Sequence, residues 1–316
     1  MRIFGWLSAL VLATTLLTAP TRAAPSAESA STVLEATAQA MPVHQLSQYD
    51  LDVWLDGYLP YAIKQADIAG AVVVVVKDGQ VLSMRGYGYA DVAAGTRVDA
   101  ANTLFRPGSI SKLFTWTAVM QLVEQGKLDL DADINRYLDF KIPPRDGKPV
   151  TLRQVMQHVA GFEETLKYIM SYSADAPGYA DALKRWVPER VFAAGDTPAY
   201  SNYGAALAGY VVESVSGQPF DDYIEQHLFA PLGMRHSTFR QPVPAALAGA
   251  LSKGYNLASD QAQKFEIVGP APAGSLSASG QDMANFMIAH LQQGEFQGAR
   301  ILRAATAQQM HDSPLT

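Results

Sequence analysis

Ser109 and Lys112 stand three positions apart at the head of a segment, 109–123, that is apolar on every side: Ile110, Leu113, Phe114, Trp116, Ala118, Val119, Met120, Leu122 and Val123. A helix apolar all round is normally buried, and Lys112 is the only charge in this one. An unpaired ammonium costs several kcal/mol to bury, so a lysine there either finds dedicated partners or gives up its charge. Residues i and i+3 share a helix face. The amine can therefore take the Ser109 hydroxyl proton and leave an alkoxide able to attack a carbonyl, helped by the positive end of the helix dipole. The backbone N–H of Ser109 would be one donor to the resulting oxyanion. The competing reading makes Ser109 an N-cap and sends Lys112 out to solvent. The tetrapeptide Ser-x-x-Lys alone does not choose between them.

Tyr200-Ser201-Asn202 follows Gly195-Asp196-Thr197-Pro198 and opens a second apolar helix at Tyr203. By itself, Tyr200 reads as an aromatic plug in a capping loop. Taken together, Ser109-Ile110-Ser111-Lys112 and the downstream Tyr-x-Asn resemble the penicillin-recognising serine hydrolases. The resemblance is closest to the class C β-lactamase-like family, which also holds D-alanyl-D-alanine carboxypeptidases and esterases. Four further segments agree with that family. They are the hairpin from Gly70-Ala71-Val72 through Gly79, Met156-Gln157-His158-Val159-Ala160-Gly161 with Met for the usual Leu, Pro231-Leu232-Gly233-Met234, and Ala273-Gly274-Ser275-Leu276 through Asp282-Met283. The similarity extends over about residues 49–294.

The resemblance implies Ser109 as acyl-accepting nucleophile, Lys112 as its proton partner, Tyr200 as a second acid/base group, and Asn202 as an amide orienting substrate and lysine. Whether Lys112 or Tyr200 is the base stays open. It also implies an α/β (α+β), β-lactamase/transpeptidase-like fold: an antiparallel sheet with flanking helices, built from 49–108 and about 280–316, and a mainly helical insertion over 109–279. The implied activity is acyl-enzyme formation on an amide, ester or β-lactam carbonyl of a small-molecule or peptidoglycan-like substrate, with no cofactor or metal. A non-catalytic module that binds penicillin-like or peptidoglycan-like ligands is the alternative.

One departure matters. Family members carry a Lys-Thr-Gly or His-x-Gly strand near the C-terminus, and residues 294–316 hold neither. Lys77-Asp78-Gly79 reads as a hairpin turn, and Lys253-Gly254 and His311-Asp312 do not fit the pattern. The expectation is a chain shortened at its C-terminus, lacking the last strands of the sheet, weak or inactive as it stands, with an open apolar strand edge that favours aggregation.

The elements that must position these residues follow from periodicity. Residues 49–65 place Leu51, Trp54, Leu55, Tyr58, Leu59 and Ala62 at the spacing of a one-sided helix. Residues 71–76, the turn at Lys77-Asp78-Gly79 and residues 80–90 form a hairpin. Five consecutive valines predict a strand covered on both faces. Helices are expected at 109–125, 152–158, 179–186, 203–215, 220–228 and 280–293.

With 316 residues, 30 acidic against 24 basic side chains, 48% hydrophobic residues and no cysteine, the chain is neither a disordered segment nor a disulfide scaffold. The acidic balance without a basic run argues against nucleic acid as a partner. Arg2, the apolar stretch 3–17 and small residues at Thr21 and Ala23 read as a signal peptide over 1–23. An uncleaved anchor is the alternative. A flexible lead-in is expected over 24–48, and no later segment is long and apolar enough to span a bilayer. The expected location is outside the cytoplasm, in the bacterial periplasm.

Glu163-Glu164-Thr165-Leu166-Lys167 faintly resembles the Glu-x-x-Leu-Asn segment of class A β-lactamases, but it precedes Tyr-x-Asn and ends in lysine, which argues against a deacylation base. The six histidines show no zinc-binding spacing. His158 reads as a hydrogen-bonded structural residue rather than a triad partner of Ser109.

Overall fold

A computed structural model describes residues 45–165, 169–172 and 177–312. The expected signal peptide and most of the lead-in lie outside them. The described residues from Ser47 onward form one compact unit. Helix α1 (Gln48–Gln65) leads into β1 (Gly70–Lys77) and β2 (Gln80–Asp91), followed by the short β3 (Thr96–Arg97). The three strands form one antiparallel sheet in the order β1-β2-β3. Asp78 and Gly79 both adopt positive φ, which matches the twist of a two-residue hairpin turn and sets Lys77 opposite Gln80.

Two expectations for this layer need correction. Helix α1 buries Leu55 and half-buries Leu51, Leu59 and Ala62, but Trp54 and Tyr58 face solvent, stacked on each other. The reason is polar: Asp52 accepts from Ser83 and Asp56 from Arg85 and Tyr87, which turns the helix so that two carboxylates, with the aliphatic stripe, meet β2. The valine strand is half-buried throughout rather than fully covered. β1 is the edge of the sheet, and among the described residues no strand pairs with its outer side.

Among the described residues nine further α-helices follow: α2 (Ser111–Glu124), α3 (Leu152–Met156), α4 (Tyr179–Arg185), α5 (Asn202–Ser216), α6 (Phe220–Ile224), α7 (Ala245–Ala248), α8 (Ala271–Gly274), α9 (Gly280–Leu291) and α10 (Ala304–His311). The expected 220–228 helix is α6 continued by a π-helical stretch, Glu225–Phe229. Helix α9 lies on β1, and Gly280 makes this possible: a Cβ there would sit 2.8 Å from Val72 Cγ2 and 2.5 Å from Ala100 O. Helix α2 is central, with Phe114, Ala118, Val119 and Leu122 at no exposure. Phe114 stacks on Phe286 of α9 and meets Phe229 and Phe239 edge-on. None of the described helices is long and apolar enough to cross a membrane.

Two half-buried titratable groups in this helical body give stability opposite pH dependences. Burial, reinforced by neighbouring His311, pushes His290 down to about 4, so the unfolded chain binds the extra proton first and stability falls as pH drops from about 6.5 toward 4. Burial pushes Glu213 of α5 up to about 7, so stability falls as pH rises from about 4.5 to 7. Glu213→Gln is expected to leave the thermal midpoint unchanged at pH 4 and to raise it at pH 8, by an amount worth about 2 kcal/mol after allowance for partial exposure. Equal gains at both pH values would contradict this assignment.

Candidate active site

Ser109 sits in a 3₁₀ turn, Gly108–Ile110, that runs into α2. It is exposed and does not cap the helix. Its Oγ lies 3.1 Å from Lys112 Nζ and accepts from the Tyr200 hydroxyl at 2.7 Å. Lys112 is only 4% exposed, so it does not reach solvent. Its amine donates to Asn202 Oδ1 at 2.7 Å and to the Ala273 carbonyl at 2.9 Å, besides its contact with Ser109. It also stands 4.7 Å from the centroid of the Tyr200 ring, within cation–π range. The four side chains singled out from the sequence thus form one cluster, open at Ser109 and Tyr200 and closed at Lys112.

Packing explains the convergence. Gly209 of α5 lets α8 approach closely, since a Cβ there would fall 2.4 Å from Pro272 Cβ. Thr115 Oγ1 donates to Pro272 O at 2.7 Å, and Leu276 N donates to Ser111 Oγ at 3.1 Å. The first turn of α2 is therefore stitched to residues 272–276, and the Ala273 carbonyl lands on Lys112. The Ala-Gly-Ser-Leu motif was visible in the sequence; its carbonyl as a lysine partner was not, because any residue type supplies one.

The His158 motif braces the other side. Ala199 N donates to His158 O at 2.7 Å, and Ser201 N donates to His158 Nδ1 at 3.2 Å. Ser201 in turn caps α5 by accepting from Gly204 N, which leaves Asn202 as the first helical residue and Tyr200 just outside. Burial, with Lys112 behind it, pushes His158 below the ordinary histidine range and favours the neutral ring whose Nδ1 accepts. His158 packs its ring 4.5 Å from that of Tyr200 and holds the loop in place. A residue with only weak sequence signal joins the cluster as well: Glu164 accepts from Asn202 N at 2.8 Å and from Asn202 Nδ2 at 3.2 Å. Leu166 and Lys167, the end of its segment, lie outside the described residues.

Comparison with known proteins decides the family, because the β-lactamase family model matches residues 45–315. The chain belongs to the β-lactamase family. Curated relatives include protein flp of Staphylococcus aureus strain MW2, 25% identical over 59% of this chain and 38% of that protein. N-acetylmuramyl-L-alanine amidase of Bacillus subtilis is 31% identical over 55% of this chain and 43% of its own. Penicillin-binding protein 4 of Amycolatopsis lactamdurans is 28% identical over 76% of this chain and 64% of its own. The chain thus spans less than two thirds of the length of these relatives. Among solved structures, the octameric penicillin-binding protein homologue from Pyrococcus abyssi superposes with a TM-score of 0.69 at 24% identity, over 84% of this chain and 61% of that one. That likeness bears on the fold, which is β-lactamase/transpeptidase-like with mixed helices and antiparallel strands. Family membership supports a serine hydrolase type of function.

Proposed function

We propose that this chain forms an acyl-enzyme at Ser109 with an amide, ester or β-lactam carbonyl. The carrying observation is the pair of short contacts to Ser109 Oγ, one from a buried amine and one from a phenol. Asn202 Oδ1 and Ala273 O are acceptors, so a neutral Lys112 spends its two N–H bonds on them and turns its lone pair toward Ser109. As Oγ attacks, its proton passes to Nζ and the carbonyl electron pair moves to oxygen, where Ser109 N–H is one donor. The ammonium that forms has three acceptors for its three protons, which stabilises the product of the transfer. Tyr200 then hands its proton to the leaving group as the tetrahedral species collapses. Water then attacks the ester and gives a proton to the Tyr200 phenolate, while Ser109 Oγ departs with the proton held by Lys112, which restores all three groups.

A second reading is a penicillin- or peptidoglycan-ligand binding module that is acylated without turning over. Substrate identity within the family depends on pocket shape and water access rather than on the shared motifs. Mass spectrometry after incubation with benzylpenicillin and with p-nitrophenyl acetate tests both readings. Mass gained on the Ser109 peptide and then lost is expected for a hydrolase, and stable mass marks a trap. No mass with either reagent refutes acyl transfer by this chain. Export to the periplasm remains part of the proposal, to be tested by fractionating cells that express the whole sequence.

A further inference from the structure

We propose that Glu164 is a positioning residue that determines which end of the Asn202 carboxamide faces Lys112; the inference rests on the reading of Ser109 and Lys112 as an acyl-transfer pair. A carboxamide has a donor end and an acceptor end of nearly equal shape, and only its partners tell them apart. Here the partner is a carboxylate, which accepts and never donates when ionised. One Glu164 oxygen accepts from the backbone N–H of Asn202 and the other from Nδ2. Nδ2 is thereby held on Glu164, and Oδ1 is left for Lys112 at 2.7 Å. The reversed amide would set Nδ2 against the amine and Oδ1 against the carboxylate, replacing two attractions by two repulsions.

The consequence reaches the nucleophile. With Asn202 Oδ1 and Ala273 O occupying two positions around Nζ, the third is directed at Ser109 Oγ. Lose the first acceptor and the amine is free to rotate away from the hydroxyl. Glu164 is itself well placed to hold this register, because its strand of chain is tied down: Glu163 N donates to Glu189 O, and Val191 N donates to Gly161 O, both at 2.8 Å. Glu164 is exposed, so its contribution to stability is small. Its influence falls on the reaction through Asn202, without contact to the reacting atoms.

A residue swap separates this role from simple capping of α5. Glu164→Gln keeps the shape but offers one acceptor where two donors wait, and it is expected to slow acylation of Ser109 by p-nitrophenyl acetate about tenfold with little change in melting temperature. Asn202→Asp alone sets two carboxylates face to face and is expected to be at least as slow. The double variant E164Q/N202D restores complementarity, since the introduced glutamine can accept from the backbone N–H and donate to the introduced aspartate, whose other oxygen faces Lys112. Recovery to within about threefold of wild type supports the proposal. Wild-type speed in E164Q, or a double variant as slow as the two losses multiplied, overturns it. Should the wild-type chain fail to acylate at all, the proposed reaction falls, and the side-chain amide spectrum of ¹⁵N-labelled protein then reads the geometry alone. An Asn202 Nδ2 proton shifted downfield in wild type and released in Glu164→Ala supports the orientation; identical spectra overturn it.

Discussion

Ser109→Ala is expected to abolish all covalent labelling by acylating reagents while leaving the fold intact. Ser109 is exposed, lies in a 3₁₀ turn and contributes no helix cap, so its hydroxyl does little for stability. Its loss removes the atom that forms the acyl bond, and the neighbouring Ser111 hydroxyl cannot substitute, since its Oγ is engaged between Gly108 O and Leu276 N. The check is intact-mass spectrometry beside a thermal melt. Rate losses of roughly a millionfold follow removal of a serine nucleophile in well-studied hydrolases, which in practice means no adduct. Residual labelling at any other residue of the variant would remove Ser109 from its role.

Lys112→Met is expected to reduce acylation about a thousandfold and to leave the melting temperature unchanged or slightly raised. The two effects have different origins. Proton transfer by a positioned side chain contributes roughly 10²–10⁴ in rate, and methionine fills the same volume without an amine. Stability behaves otherwise because Lys112 is a buried amine whose direct partners, Asn202, Ala273 and Ser109, are all neutral. Removing it strands no opposite charge and relieves the cost of burying a polar amine, against the loss of hydrogen bonds to two acceptors. Parallel loss of folding and labelling would instead mark Lys112 as a structural residue. The measurement is the rate of appearance of the Ser109 adduct, with calorimetry on the same preparation.

Much of the scaffold is legible in the sequence. The Asp78-Gly79 turn, the all-round apolar α2 and the boundaries of α5 follow from turn chemistry and helical period, and observed limits fall within a few residues of those expected. Misses came where a polar contact outvoted the period. Trp54 and Tyr58 fit the apolar stripe of α1, yet Asp52 and Asp56 bond to Ser83, Arg85 and Tyr87 of β2 and rotate both rings outward. The valine run carried no mark of how far its faces would be covered, so full burial was expected of a strand that is half-buried throughout, although its open edge was foreseen. In the site, Ser109, Lys112, Tyr200 and Asn202 were readable as residue types at motif spacing. Glu164 was nearly invisible, because a lone glutamate in a loop has many uses and its partner lies 38 positions away.

What the sequence by itself determined was local: a hydroxyl one helical turn before an amine, on a helix with nowhere polar to turn. That is a matter of 3.6-residue geometry and the cost of burying charge. Tertiary structure alone decided what the amine does with its three bonds, since Asn202 and the Ala273 carbonyl are 90 and 161 positions distant and arrive only when α5 and α8 pack against α2. Hydrogen-bond direction is a property of atoms brought within 3 Å of one another, and no periodicity in a chain encodes which atoms those will be.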